Sequence, residues 1–474
     1  MTIRVILIPA LVVLASLAGC AGFERIPRIP RVPDTGPFTY RAETYERGNL
    51  RALGGDSTVD DYVIYGALNN PGLEAAFIRW KAALEKVPQA TALPDPALTY
   101  GYFIRQADMS RARQELAVTQ MFPWFGKRGL AGRVALEEAN ARRYEFEAQR
   151  VKLARRIKQD YFEYYYLARV VDIMEENVTL LTNLEGVARA NFRSGKAQFA
   201  DVIKAQVELG NLQDRLRTAK DVLRPAIAKL NAALNRASDA SLPPPGALPP
   251  GVVDVNEEHA QALVIENNPE LKALDAMAAK ENSRIKLAKK DFYPSFSLGL
   301  GYMDMEDSKM TDPVSGMVML NLPIWREKYR AGVREASAGY EAALKQEQDL
   351  RNNLLADLQM ALFRVRDAER KIDLYSNALI PKARQALEVS QQSLEAGKAG
   401  FLDVIDAERT LLEFGLSHER ARADHEQAIA EIEMIIAEEL PRTAAAAPAA
   451  PNPKEDKPAE SEPAEQSSEK KGNE

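Results

Sequence analysis

Along this chain the apolar positions keep a three-and-four step over very long stretches, and each long stretch is entered from a pair of short alternating segments. Val202, Ala205, Leu209, Leu212, Leu216, Ala219 and Leu223 form one such stripe, and Ala154, Ile157, Tyr161, Tyr164, Ala168 and Val171 form another before it. That spacing is the seam of a coiled coil, so the two stripes predict antiparallel helices zipped together. The turn between them is Ser194-Gly195-Lys196-Ala197-Gln198-Phe199-Ala200-Asp201-Val202-Ile203, where glycine can take the left-handed position that ends the incoming helix. A second copy reads Ala396-Gly397-Lys398-Ala399-Gly400-Phe401-Leu402-Asp403-Val404-Ile405. A separation this long marks two copies of one large unit, not a solenoid of small ones.

The helices on either side are long. From Lys127 to about Arg193 there is no proline, and a helix over that span runs about 100 Å at 1.5 Å per residue. Pro225 is expected to interrupt the outgoing helix. Upstream, Tyr62, Tyr65, Leu68, Leu73, Phe77, Trp80 and Leu84 predict a helix or helix pair over Val59 to Lys86, broken at Asn69-Asn70-Pro71 and stopped by Pro94-Asp95-Pro96. The second half repeats the order, with Asn267-Asn268-Pro269, a helix from about Glu327 to Glu395, the second turn, and a helix to about Glu439. Segments 97–104 and 115–122 alternate and are rich in aromatic and β-branched residues, which predicts a strand pair. Segments 295–302 and 317–322 are the second pair.

The predicted organisation follows. Residues 59–240 are a first repeat, 241–256 a Pro-rich linker, 257–441 a second repeat, and 442–474 an Ala/Pro/Glu/Lys/Ser tail without apolar anchors. Residues 20–58 are an extended anchor segment with Arg25-Ile26-Pro27-Arg28-Ile29-Pro30. Residues 1–19 read as a secretory signal, with a cationic start at Arg4 and an apolar core from Val5 to Leu17. It closes on Leu17-Ala18-Gly19-Cys20, similar to the bacterial lipobox, in which the cysteine becomes the lipidated first residue. Cys20 is the chain's one cysteine, and Ala21 after it points to the outer membrane.

Four strands of this length suit a tilted crossing of a bilayer but are too few to close a barrel. An open sheet edge in lipid leaves backbone groups unpaired at several kcal/mol each, so several chains must share one barrel. Three copies give twelve strands; two give eight, a barrel whose interior side chains fill it.

In these features the chain resembles the TolC family of outer-membrane efflux proteins, on the paired strands, the Asn-Asn-Pro openings, the Phe122-Pro123-Trp124-Phe125-Gly126-Lys127-Arg128 entry and the two Asp-Val turns. The resemblance spans about residues 60–440. It implies a mixed, mostly helical fold of two tandem repeats, each a strand pair plus a long α-hairpin. It also implies a homotrimer whose twelve-stranded transmembrane β-barrel continues into a periplasmic α-helical barrel. The implied role is a passive exit duct for an inner-membrane pump, of the RND type, joined through a periplasmic adaptor protein. The entry motif looks like that of members serving heavy-metal-cation pumps, so metal cations or small toxic compounds are the expected cargo. Type I protein secretion and a lipid-anchored coiled-coil scaffold without a channel are the alternatives.

Position in the family's second repeat makes Asp403 and Asp406 the expected pore gate, two carboxylate rings at a narrow axis that attract cations. A capping or solvated role at a helix start is the plainer reading of these aspartates. Gly195, Lys196, Asp201, Gly397 and Lys398 are the expected hairpin tips and adaptor contacts. The tip differs from better-known members, which carry an arginine and a tyrosine where this chain has Ala399 and Leu394.

The remaining chemistry is sparse. The net charge is −6 and the chain has three histidines, so nothing points to nucleic acid. His418 and His425 stand two helical turns apart, which suits a seam contact and not a chelate. Met303, Met305, Met310, Met317 and Met319 suggest soft-metal passage, and lipid-facing strand positions or an outer loop explain them equally. No catalytic, metal or cofactor motif is found, and the chain is not expected to be an enzyme.

Overall fold

A computed structural model describes residues 53–104, 112–195, 198–249, 251, 253, 255–305, 312–396 and 400–442. The elements in order are α1 (Val59–Asn69), α2 (Pro71–Leu84), α3 (Lys86–Thr91), β1 (Ala97–Tyr102), β2 (Ala112–Phe122), α4 (Lys127–Arg193), α5 (Phe199–Ala233), α6 (Glu257–Asn267) and α7 (Pro269–Lys290). Then come β3 (Ser295–Met305), β4 (Val314–Asn321), α8 (Arg326–Asp373), a π-helical turn (Leu374–Leu379), α9 (Ile380–Glu395) and α10 (Phe401–Ile436).

Each Asn-Asn-Pro opening does two jobs through its second asparagine. Asn70 accepts from the Leu73 amide at 3.1 Å, capping α2, while its Nδ2 donates to the Ala233 carbonyl at 3.0 Å. Asn268 accepts from the Glu270 and Leu271 amides and donates to the Ile435 carbonyl at 2.9 Å. The following proline fits the first helical turn, where its missing N–H costs nothing. One side chain therefore starts a short helix and ties it to the last turn of a long one.

Core packing follows the predicted stripes. Tyr62, Leu73, Ile157, Tyr161, Phe162 and Leu230 bury around α4 in the first half, and Val264, Leu358, Ile429, Ile432 and Ile435 around α10 in the second. Further along, Val170, Met174 and Leu181 of α4 pack with Leu212 of α5 and with Leu412 and Leu416 of α10. The long helix α4 thus serves as partner to both return helices. Gly66 lets α1 lie against α4: a Cβ there would sit 2.3 Å from Ile157 Cδ1.

Two expectations need correction. Pro225 does not interrupt α5, which runs unbroken through it. Ala219, Ala226 and Leu230 on either side are buried, and that packing holds the helix across the lost hydrogen bond. The stretch from Glu327 to Glu395 is not one uniform helix but widens into the π-helical turn just before Pro381. Proline lacks the N–H for the regular ladder and its ring crowds the carbonyl four residues back, and a wider turn accommodates both.

The sheet is antiparallel throughout, in the order β1-β2-β3-β4. Within one chain β1 and β4 each keep one edge unpaired. Among the described residues no helix is long and apolar enough to cross a membrane.

Candidate functional site

Paired residues of an antiparallel sheet point to the same face, so the register sorts every side chain. One face carries Leu98, Tyr100, Leu116, Val118, Leu298, Leu300, Tyr302, Val314, Val318 and Leu320, in the rows Tyr100–Leu116–Tyr302–Val314 and Leu98–Val118–Leu300. These are large apolar groups left in the open, with Leu98 and Val318 68% and 69% exposed. Where the strands meet the helices, Phe122 stacks on Phe296 at 5.4 Å and Trp124 on Tyr293 at 5.4 Å. Tyr100, Tyr102 and Tyr302 mark the far end. From Phe296 to Tyr302 is about 20 Å at 3.4 Å per residue, the scale of an apolar band between two aromatic girdles.

The opposite face is different. It carries Thr99, Glu115, Ala117, Thr119, Ser297, Gly299, Gly301, Ser315 and Asn321, small or polar groups. Met121, Met303, Met305, Met317 and Met319 also fall on this face, not on the apolar one. Met310 lies outside the described residues.

At the other end of the long helices, the two turns come together. Ala188, Val202 and Ala205 form one cluster with Phe401 and Ile405, with Leu184 and Leu394 against it. Gly195 has φ +72°, the left-handed conformation expected of it. Asp201 accepts from the Gln198 amide at 3.3 Å, and Asp403 accepts from the Gly400 amide at 2.9 Å. Both carboxylates thus cap the first turn of a return helix, and Asp403 remains exposed while doing so. Asp406, whose side chain is 70% exposed, has its Oδ1 3.5 Å from Arg409 Nη1. Cys20, Lys196, Gly397, Lys398 and Ala399 lie outside the described residues.

Sequence reasoning missed the partners around the aspartates. Arg409 binds both carboxylate oxygens of Glu208 on α5, an inter-hairpin pair that no single-helix pattern reveals. Glu185, on the buried face of α4, accepts from Arg189 and from Gln206 of α5 at 2.9 Å, and these donors hold its carboxyl below the usual range. Glu408 sits on the apolar step Phe401, Ile405, Glu408, Leu412. It is 5% exposed, its Oε2 has no hydrogen-bond partner, and burial alone pushes it up to about 7. The signal was in the sequence, as an ionisable residue on an apolar stripe.

The histidines are seam groups. His425 has Nδ1 3.2 Å from Glu426 and Nε2 3.6 Å from Glu369, and His418 lies 3.8 Å from Glu419. Burial would raise the carboxyls of Glu419 and Glu426, but their histidine and arginine neighbours hold both low. Among the described residues no group of three or more His, Cys, Asp or Glu is placed to hold a metal ion.

Against known proteins, the family model described as outer membrane efflux protein matches residues 66–236 and again 261–438. The cobalt-zinc-cadmium resistance protein CzcC of Cupriavidus metallidurans is 27% identical over 256 residues, covering 51% of this chain and 59% of that protein's length. The fold is similar to that of the outer membrane protein VceC of Vibrio cholerae, with TM-score 0.69 and 16% identity over 80% of this chain and 96% of that one. It is also similar to the MtrE outer membrane channel of Neisseria gonorrhoeae in its open state, with TM-score 0.67 and 16% identity over 89% of this chain and 97% of that one.

Proposed function

This chain belongs to the outer membrane efflux protein family, and from that premise we propose that three copies form a passive exit duct across the outer membrane and periplasm. The observation that carries the reading is the four-stranded sheet with one face of exposed apolar side chains and two unpaired edges. Apolar groups in that number are stable against hydrocarbon, and the edges are satisfied when β4 of one copy pairs with β1 of the next. A coiled-coil scaffold without a channel has no use for such a sheet.

On this reading the polar face lines the lumen, and the long helices make the periplasmic tube. The turns at 194–201 and 396–403 form its inner mouth and the surface offered to a periplasmic adaptor protein and its inner-membrane pump of the RND type, with Gly195, Lys196, Asp201, Gly397 and Lys398 there. Asp403 and Asp406 ring the mouth as a cation-attracting constriction. Cys20 carries the lipid anchor. The likeness to a cobalt-zinc-cadmium resistance protein favours metal cations as cargo, moved by the pump's energy and not by chemistry in this chain.

The test is reconstitution of the full chain in planar bilayers, together with a deletion strain challenged with metals, drugs and detergents. A trimer that conducts, and a deletion that sensitises, are expected. A monomer without conductance, or a strain that loses a secreted protein and nothing else, would overturn the duct reading.

A further inference from the structure

The five methionines of the sheet are distributed in a way that hydrophobic filling does not explain. A methionine placed for its apolar bulk belongs on the lipid face, yet Met121, Met303, Met305, Met317 and Met319 all lie on the face of the threonines, serines and glycines. Three of them occupy neighbouring positions. Met121 pairs with Ser297 and Ser297 with Met319, so Met121, Ser297 and Met319 form one lateral row. Met317 is two residues along β4 from Met319, in the next row beside Gly299. At about 4.8 Å between strands, Met121 and Met319 stand about 10 Å apart across a serine, within the joint reach of two unbranched side chains of three torsions each.

Between Met121 and Met319 stands only the short side chain of Ser297. Gly299, beside Met317, has no side chain, and the Thr119 methyl lies over it: a Cβ there would sit 2.6 Å from Thr119 Cγ2. All three methionines are exposed, Met121, Met317 and Met319 at 43%, 37% and 45%. Sulfur without charge is a soft donor, which selects monovalent d10 cations over zinc, cobalt or magnesium.

We propose that Met121, Met317 and Met319 form a thioether site for a soft monovalent cation of the Cu(I) class on the wall of the barrel lumen, an inference that rests on the reading of the polar face as lumen. Met303 and Met305 place further thioethers towards the far end of the strands. Three neutral sulfurs bind such a cation without a carboxylate to trap it, which suits a wall that must hold an ion and release it. Borderline dications, which take imidazole, thiolate or carboxylate ligands, find none of these three among the residues of the site, whose oxygens are the hydroxyls of Ser297 and Thr119.

The experiment titrates Ag(I), as the probe, into the purified full-length trimer in detergent, with calorimetry for affinity and X-ray absorption at the silver edge for the ligands. The comparison is the triple variant Met121→Leu, Met317→Leu, Met319→Leu, which keeps side-chain bulk. The expected result is sulfur scattering in the wild type and at least a tenfold loss of affinity at one site per chain in the variant, with no matching Zn(II) site. Equal Ag(I) affinity and stoichiometry in the two proteins would overturn the site. Its facing is tested separately: Met319→Cys reacts with a membrane-impermeant thiol reagent and Val318→Cys does not, and the reverse also overturns it. Conductance of both proteins is recorded alongside. Normal conductance without the Ag(I) difference removes the site and leaves the duct standing. Absent conductance in the wild type removes the duct, whatever the silver shows.

Discussion

Arg409 of α10 grips Glu208 of α5 with both arms of its guanidinium, Nη2 to Oε2 at 2.7 Å and Nε to Oε1 at 3.3 Å. The pair joins the return helix of one hairpin to that of the other, about one turn beyond Asp406. Both partners are partly exposed, so the link is worth about 1 kcal/mol or less.

That size sets the first prediction. On the duct reading, with the pair holding the two return helices together at a closed mouth, Arg409→Ala should raise the resting conductance of the reconstituted channel by a few-fold, up to about fivefold for 1 kcal/mol. Glu208→Gln should do nearly the same, and the double variant should add little, because both remove one interaction. Additive effects in single-channel recordings would mean the two side chains act separately.

Asp406 and Asp403 should part company in what else they do. Asp406→Asn is expected to weaken cation preference and block by multivalent cations without changing thermal stability, since its side chain is 70% exposed. Asp403→Asn should reduce the same preference and retain the cap, because the amide oxygen can still accept from Gly400; Asp403→Ala should additionally cost about 1 kcal/mol at the helix start. Reversal potentials in salt gradients and melting curves separate the two outcomes.

Glu408 makes stability depend on pH. Its folded value of about 7 lies above the ordinary 4.5, so the neutral form is favoured in the native state. Its contribution is therefore present in full below pH ~4.5 and lost as pH rises towards 7, a change of about 3 kcal/mol for a group this buried. Glu408→Gln should flatten the melting temperature across that window and raise it at pH 8. A wild-type profile already flat between pH 4.5 and 7 would contradict the burial of an unpaired carboxylate.

The two capping asparagines should differ in cost. Asn268 is 2% exposed and holds three backbone groups, Glu270 N, Leu271 N and Ile435 O. Asn268→Ala should destabilise by about 2–3 kcal/mol, since it removes a cap and strands a buried carbonyl. Asn70→Ala, at a more open position, should cost about 1 kcal/mol. Denaturant midpoints of the two variants give the comparison directly.

Much of this is legible in the amino-acid sequence. Helices, turns and strands announce themselves through local rules, since a three-and-four step, an Asn-Pro start or a glycine after a helix acts over a few residues. Strand β2 nevertheless begins at Ala112, three residues earlier than alternation suggested, and β4 at Val314 instead of 317. Strand ends are set by what the neighbouring strand offers to pair with, and that neighbour is distant in sequence. The carbonyls that Asn70 and Asn268 reach lie 163 and 167 residues away.

The same limit explains Pro225, Glu408 and the methionines. Proline lowers the local preference for helix, but burial of Ala226 and Leu230 against α4 decides the outcome. Glu408 stands visibly on an apolar stripe, yet whether a stripe residue meets a cation or a wall of leucine depends on which helices close over it. Met317 and Met319 share a face on alternation alone. Which face, and with whom, follows only from register, because a one-residue slip sends every side chain of a strand to the other side of the sheet. Local order along the chain therefore dictated the elements and their sequence, while the assignment of each side chain to one sheet face, the other or the helical seam required the pairing of segments 200 or more residues apart, as Glu208 and Arg409 (201) and Lys158 and Glu433 (275) are.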